Sequence, residues 1–451
     1  MATIAPAHSL ARNGRYIGWL ISDTAKGLAS ALFGFAIPLV ALFVTNDPAQ
    51  AGIISAVGMT TRLFTTIYGG VLADRHRRIA MMVLGSAIGI ALAAAFTMLA
   101  LGDALTFVTL LVVDALLAAR TGLFDIAGES ALKEIVPDEA MGRAQAANQG
   151  RDAVLQLAGG PLGGVLLAAG AWMIGIAMAV CHTIAAVAAW MLQRSAPSGE
   201  DAAPAGTGAA PVDSDAPDGS ADAAASDVGI VAAAVAVGKP NALREVREGF
   251  VWLFSRPDLR GALFVATIIN LGFSTALTCV IYALQQAGQS TITIGLLSTG
   301  AGIAMLVGAL IAPMLVARVR AGVVIIAGLA VSTAGVTGMI PVHDPLPLAI
   351  VLGVTVFFIP AVNAALVGYF MVATPTELLG RANSASAVLG MGALPVAPLI
   401  AGFGLAWAGR DGTLITASAL CLVSVLLAGA TAGLRALPAE AGWSAHARRF
   451  A

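Results

Sequence analysis

Apolar residues in this chain fall into long unbroken runs. Strict two-residue alternation is absent, so the pattern predicts helices rather than strands. A helix needs about 20 apolar residues to cross about 30 Å of hydrocarbon. Twelve runs reach that length: Tyr16–Val44, Ala51–Ala73, Ile79–Leu101, Ala104–Gly128, Ala144–Ala169, Ala171–Leu192, Leu259–Gln285, Thr293–Ala317, Ala321–Pro341, Leu346–Thr374, Ala382–Ala408 and Gly412–Leu434. The expected fold is an all-α membrane protein with twelve transmembrane helices in two six-helix bundles, residues 1–192 and 259–434. Equal halves of this kind are the architecture of many secondary transporters.

The segment between the halves has a different composition. Residues 193–240 are rich in Ala, Gly, Pro, Ser and Asp, with Glu200, Asp201, Asp213, Asp215, Asp218, Asp222 and Asp227 against few basic residues. Such a stretch buries too little apolar surface to fold and reads as a disordered acidic cytoplasmic linker. Residues 241–258 follow as an amphipathic interfacial helix, on the pattern of Asn241–Phe254. Residues 435–451 form a short cytoplasmic tail.

Composition narrows the class. Of 451 residues, 58% are apolar and 11% charged. A soluble domain carries about 25% charged residues, so this chain cannot cover a water-facing surface of its size. Net charge is -1, which gives no basic field for nucleic acid. Lys and Arg set the orientation. Nineteen of the 24 fall in segments that are cytoplasmic if the N-terminus is, one (Arg410) falls in an external loop, and Lys26, Arg62, Arg120 and Arg151 lie within spans. That split alternates through all twelve spans and predicts a multi-pass protein of the cell membrane with both termini cytoplasmic. The first run is too long for a signal-peptide core and is expected to remain as an anchor. The three cysteines sit alone in apolar runs, as small buried residues.

Two motifs point to a family. The loop after the second span reads Gly70-Val-Leu-Ala-Asp74-Arg75-His-Arg77-Arg78, and span five holds Gly159-Gly160-Pro161-Leu-Gly163-Gly164. The first resembles motif A of the major facilitator superfamily, lacking one glycine before the last basic pair. The second is similar to motif C of that superfamily's exporter branches, one residue short. The corresponding loop of the second half, ending in Arg318 and Arg320, keeps the arginines without the aspartate. Residues 69–75, 244–260, 294–313 and 378–389 resemble the branch of enterobactin-type siderophore exporters and macrolide or multidrug efflux pumps. The resemblance implies proton antiport with alternating access, exporting amphiphilic small molecules. It also implies a cytoplasmic gate built from Gly70, Asp74, Arg75, Arg77 and Arg78. Their expected partners are Asp125 and Glu129 on span four and the start of span eleven near Arg381.

Charge inside hydrocarbon costs about 2.5–3.5 kcal/mol per residue on insertion scales, so retained charges carry information. Asp23, Lys26, Arg62, Asp114, Arg120, Asp125, Arg151, Asp152 and the adjacent Glu129 all lie in the first half. One acid more than the bases leaves a carboxyl without a cation, a candidate proton carrier. Depth selects Asp23 and Asp114 for coupling, with Lys26, Arg62 and Arg120 as charge partners. The second half offers amides, and Asn270, Gln285 and Asn363 are the expected substrate contacts. His182, the one histidine within a span, reads as packing.

No HExxH, GxSxG or Walker sequence occurs, so the chain reads as neither an enzyme nor an ATP-driven pump, with no cofactor and no metal. Its expected partners are a small molecule, protons and the lipid bilayer, and it is expected to act as a monomer. Two other readings stand beside export: a proton-coupled uptake symporter, and a receptor or scaffold on a transporter fold. Reporter fusions at Asp103 and Asp344 should both read as external. A cytoplasmic signal at either would overturn the topology.

Overall fold

The computed structural model describes residues 13–136, 138–194 and 242–449. The acidic linker expected over 193–240 lies, from residue 195, outside them. The helices are α1 (Gly14–Thr45), α2 (Pro48–Arg75), α3 (Arg78–Leu101), α4 (Phe107–Ile135), α5 (Asp138–Ala169), α6 (Ala171–Arg194), α7 (Ala242–Ser255), α8 (Pro257–Gln286), α9 (Thr291–Arg318), α10 (Ala321–Gly338), α11 (Pro345–Phe357), α12 (Ile359–Ala373), α13 (Thr376–Ala393), α14 (Val396–Ala430), α15 (Ala432–Arg435) and α16 (Trp443–Ala447). Among the described residues, ten helical stretches are long and apolar enough to cross a membrane, with α11 and α12 counted as one. The architecture is all-α and multi-spanning.

Local chemistry explains the ends. Asn13 and Ser290 cap α1 and α9 through their side chains, Asp47 caps α2 with Pro48 at its first position, and Thr106 with Thr109 forms a capping box on α4. Two expected spans are interrupted. Leu346–Thr374 divides at Phe358, just before Pro360, and Ala382–Ala408 divides at Leu394–Pro395, where proline interrupts the ladder. The boundary expected between Ala408 and Gly412 is a kink inside α14, at Gly409 (φ 68°). Next to it, the Arg410 guanidinium donates to the carbonyls of Ile340 (2.8 Å) and Met339 (2.7 Å), in the turn that follows α10. The tail also folds back. Ala321 and Gly322 donate backbone N–H bonds to Pro438 and Leu437 carbonyls at the start of α10.

Helices α1–α6 pack on one another, as do α8–α14, and the two groups meet mainly through α2 against α14 and α5 against α9. These junctions are asymmetric along their length. At the end where α1 finishes and α2 begins (the Thr45 end), one apolar core runs through both groups, with Leu39, Ile54 and Leu110 joined to Tyr282, Leu297 and Leu405. At the opposite Arg75 end the core divides. Leu253, Val265, Tyr369 and Trp443 form a cluster of the second group, and Trp19, Met82 and Leu132 one of the first.

Glycine permits the close approach at the Thr45 end. A Cβ on Gly402 would strike the Pro48 carbonyl, one on Gly52 the Pro398 carbonyl, and one on Gly164 the Thr291 carbonyl. A methyl group forced into such a contact costs about 1–3 kcal/mol. Gly164→Ala and Gly402→Ala should therefore lower the melting temperature in detergent. Gly390→Ala, with open space around it, should not. Equal melting temperatures for all three would show that these contacts do not hold the halves together.

Candidate functional site

Three helices of the first group carry a charged network. Asp23 and Lys26, three apart on one face of α1, pair at 3.0 Å, and the other Asp23 oxygen takes Arg151 of α5 at 2.9 Å. Arg151 also holds Asp152 through two hydrogen bonds of 2.9 and 2.8 Å. On α4, Asp125 lies 3.9 Å from Lys26 and 3.5 Å from Arg120. Trp19 packs under the Arg151 guanidinium (5.6 Å to the ring centre) and donates its indole N–H to the Gly128 carbonyl at 2.7 Å. Three cations and three carboxylates thus balance one another. Lys26 and Arg120 are only 4% exposed, and breaking one side of a buried pair costs about 3–5 kcal/mol.

Asp114 stands apart from this network. It is 6% exposed and packs into the notch that Gly58 of α2 leaves, where a Cβ would overlap its carboxyl group. Its Oδ2 is buried and accepts no hydrogen bond. None of Arg62, Arg120 and Lys26, expected as its partners, pairs with it: Lys26 and Arg120 are held by Asp23 and Asp125. Nearby, the Ser55 and Tyr282 hydroxyls meet at 3.4 Å across the two groups.

The expected gate residues find other partners. Arg78 pairs with Glu134 at 3.0 Å and donates to the Ser130 carbonyl at 2.9 Å, while Asp125 turns inward to α1. Glu134 lies five residues beyond Glu129, closer to the end of α4. Arg381 pairs with Glu248 of α7 at 2.9 Å. Arg75 and Arg77 are exposed and Gly70 is buried. The Asp74 side chain lies outside the described side chains.

The glycines of span five serve two faces. Gly159 and Gly163 pack on Ala31 and Phe35 of α1, whereas Gly160 and Gly164 pack on Gly295 and Thr291 of α9, and Pro161 lies within the helix. The three amides separate. Asn270 and Asn363 line one cavity of about 40 Å³ with Phe273, Ser332 and Cys421. Gln285 instead donates to the Leu39 carbonyl at 2.7 Å, joining α8 to α1 at the Thr45 end.

Sequence reading missed Arg151 as a member of the network, because its partner Asp23 is remote in the chain, and with it Asp152, which joins through Arg151. It also missed the buried set of Arg256, Asp258 and Tyr369, in which Arg256 pairs with Asp258 at 3.0 Å and Tyr369 donates to the same carboxylate. The REGFVWLFSRPDLR segment contained two of these three residues but gave no sign of the tyrosine. His182 is buried against Gly89. Among the described residues, no group of three or more His, Cys, Asp or Glu could hold a metal ion.

The two helix groups share one apolar core at one end and hold separate cores at the other, beside buried charge in the first group. The fold is similar to that of a bacterial homologue of the iron transporter ferroportin, crystallised in an inward-facing state. The TM-score is 0.68 at 13% sequence identity, covering 97% of this chain and 100% of that one. No curated protein matches the sequence. The sequence profile of the Major Facilitator Superfamily matches residues 21–277. That match spans more than half of the chain, so the protein belongs to the Major Facilitator Superfamily, as a multi-pass secondary transporter rather than an enzyme.

Proposed function

We propose that this transporter exports amphiphilic small molecules of drug, macrolide or siderophore type from the cytoplasm by proton antiport with alternating access. One observation carries the reading: the apolar core is shared between the halves at the Thr45 end and divided at the Arg75 end. Because the Arg75 end carries the excess of Lys and Arg, it is taken as cytoplasmic, with both termini on that side. The arrangement is then inward-facing, ready to receive substrate from the cytoplasm. Counting α2 as a span and dividing α13–α14 at Gly409 supplies the twelve spans of two six-helix bundles. The first is residues 1–192 and the second 259–434, with the tail 435–451 beyond it. On this reading the linker 193–240 and the interfacial helix 241–258 join the bundles at the cytoplasmic face. The protein works as a monomer. Export, rather than uptake, rests on the likeness of Gly159–Gly164 to motif C.

The coupling residue is Asp114. Asp23 is tied to Lys26 and Arg151, so a proton could reach it only by breaking both pairs. Asp114 can gain or lose a proton without that cost. Asn270 and Asn363 supply polar contacts to substrate from the second half, and Gln285 belongs to the external closure. The gate set of Gly70, Asp74, Arg75, Arg77 and Arg78 acts when the cytoplasmic end closes, with Asp125, Glu129 and Arg381 nearby.

Everted membrane vesicles with an imposed pH gradient test this, using ethidium, erythromycin and a catecholate siderophore as probes. Wild-type protein should accumulate at least one of them. Asp114→Asn should lose gradient-driven accumulation at least tenfold and retain downhill movement. Asp23→Asn should lower the melting temperature while whatever folds stays gradient-dependent. No transport of any probe would refute the substrate class, and full gradient-driven transport by Asp114→Asn would refute the coupling residue.

A further inference from the structure

Apart from Glu129 nearer the end of α4, two charged side chains in the interior of the first half lie outside the balanced network: Asp114, buried without a partner for Oδ2, and Arg62 of α2, which is exposed. Arg62 lies on the stripe of α2 that faces the second half. Pro48, Gly52 and Ser55 of that stripe touch α14 and α8 at the Thr45 end. Met59 and Arg62 continue it at helical spacing, three or four residues apart, toward the end where the halves part. Both are exposed there, as expected for residues that face the cleft. Arg62 is also one turn, about 6 Å of rise, beyond Gly58.

Side chains on a helix lean toward its N-terminus and cover the turn before their own. For Arg62 that turn is the one containing Gly58, the glycine against which the Asp114 carboxyl packs. The missing side chain at residue 58 therefore leaves a direct path between guanidinium and carboxylate. Among the described residues, the cations of the network are held elsewhere. From α1, Lys26 faces Asp23 and Asp125, and Arg120 on α4 itself faces Asp125. From α3, Arg78 is held at the far end by Glu134. From α8, the group nearby is the Tyr282 hydroxyl, which meets Ser55.

We propose that Arg62 is the state-dependent partner of Asp114: it swings over Gly58 to pair with the carboxylate once the proton has left, and returns to the cleft when Asp114 is protonated. The unpaired arrangement seen here is the protonated one. The proposal rests on Asp114 as the coupling residue and makes Arg62 a positioning residue for proton release. It explains why both charges are kept without partners at this depth. It also gives Gly58 a role beyond packing, since any larger residue there would block the path.

The test needs no substrate. In purified protein reconstituted in lipid, the carboxylic-acid infrared band of Asp114 is identified by its loss in Asp114→Asn and then titrated with pH. In Arg62→Gln, Asp114 should hold its proton at least tenfold more tightly than in wild type. In Arg62→Lys, which keeps a cation of similar reach, the change should be less than threefold. Equal proton affinity in wild type and Arg62→Gln would overturn the pairing, as would an Arg62→Lys variant that behaves like Arg62→Gln. Vesicle transport reports separately on Asp114 as the coupling residue, so the two claims can fail independently.

Discussion

Six charged side chains on α1, α4 and α5 lie roughly midway along helices that cross a membrane, where an unpaired charge is expensive. Asp23, Lys26, Arg120, Asp125, Arg151 and Asp152 meet this constraint by neutralising one another. The network binds three helices into one body, because each pair joins neighbours or continues into a pair that does. Asp114, buried outside the network, can be protonated without breaking any of these ion pairs. The same cost of charge that ties these three helices together sets Asp114 apart, which is the basis for proposing it as the coupling residue.

The junction between the halves follows a different rule. No salt bridge joins them among the described residues. Apolar packing and glycine-to-backbone contacts do so instead, with a few hydrogen bonds such as that from Gln285 to Leu39. Contacts of this kind have little directional preference, so they can be given up at one end and replaced at the other at modest cost. A rigid charged body in the first half and a nonionic seam between the halves are complementary requirements for a protein that rocks between two states.

Much of this was legible in the sequence. Apolar run length placed most helices to within a few residues, and the i,i+3 spacing of Asp23 and Lys26 gave their pairing. Residues remote in the chain were not legible. Arg151 to Asp23 spans 128 positions, and a helical wheel of α1 or α5 alone does not bring them together. The sequence placed Asp125 with the motif A arginines when the cytoplasmic end is closed; in the arrangement described here it faces Lys26. Which side of α4 meets α1 is set by packing, including the close approach of Gly128 to Asp23 and Lys26. The boundary expected between Ala408 and Gly412 coincides with the kink at Gly409, whereas the break at Leu394–Pro395 had a visible Pro signal that a long hydrophobic run concealed. The amides of the second half were visible too, but not that Gln285 joins the halves at the Thr45 end while Asn270 and Asn363 share a cavity.

The central claim is that Asp114 couples substrate movement to protons, and proton flux itself reports on it most directly. Purified transporter in liposomes loaded with ethidium and a trapped pH dye, diluted into ethidium-free buffer, sets an outward substrate gradient with no imposed pH gradient. Wild-type protein should acidify the lumen as ethidium leaves. Asp114→Asn should release ethidium without acidification. Acidification of equal rate and extent in Asp114→Asn would contradict the account.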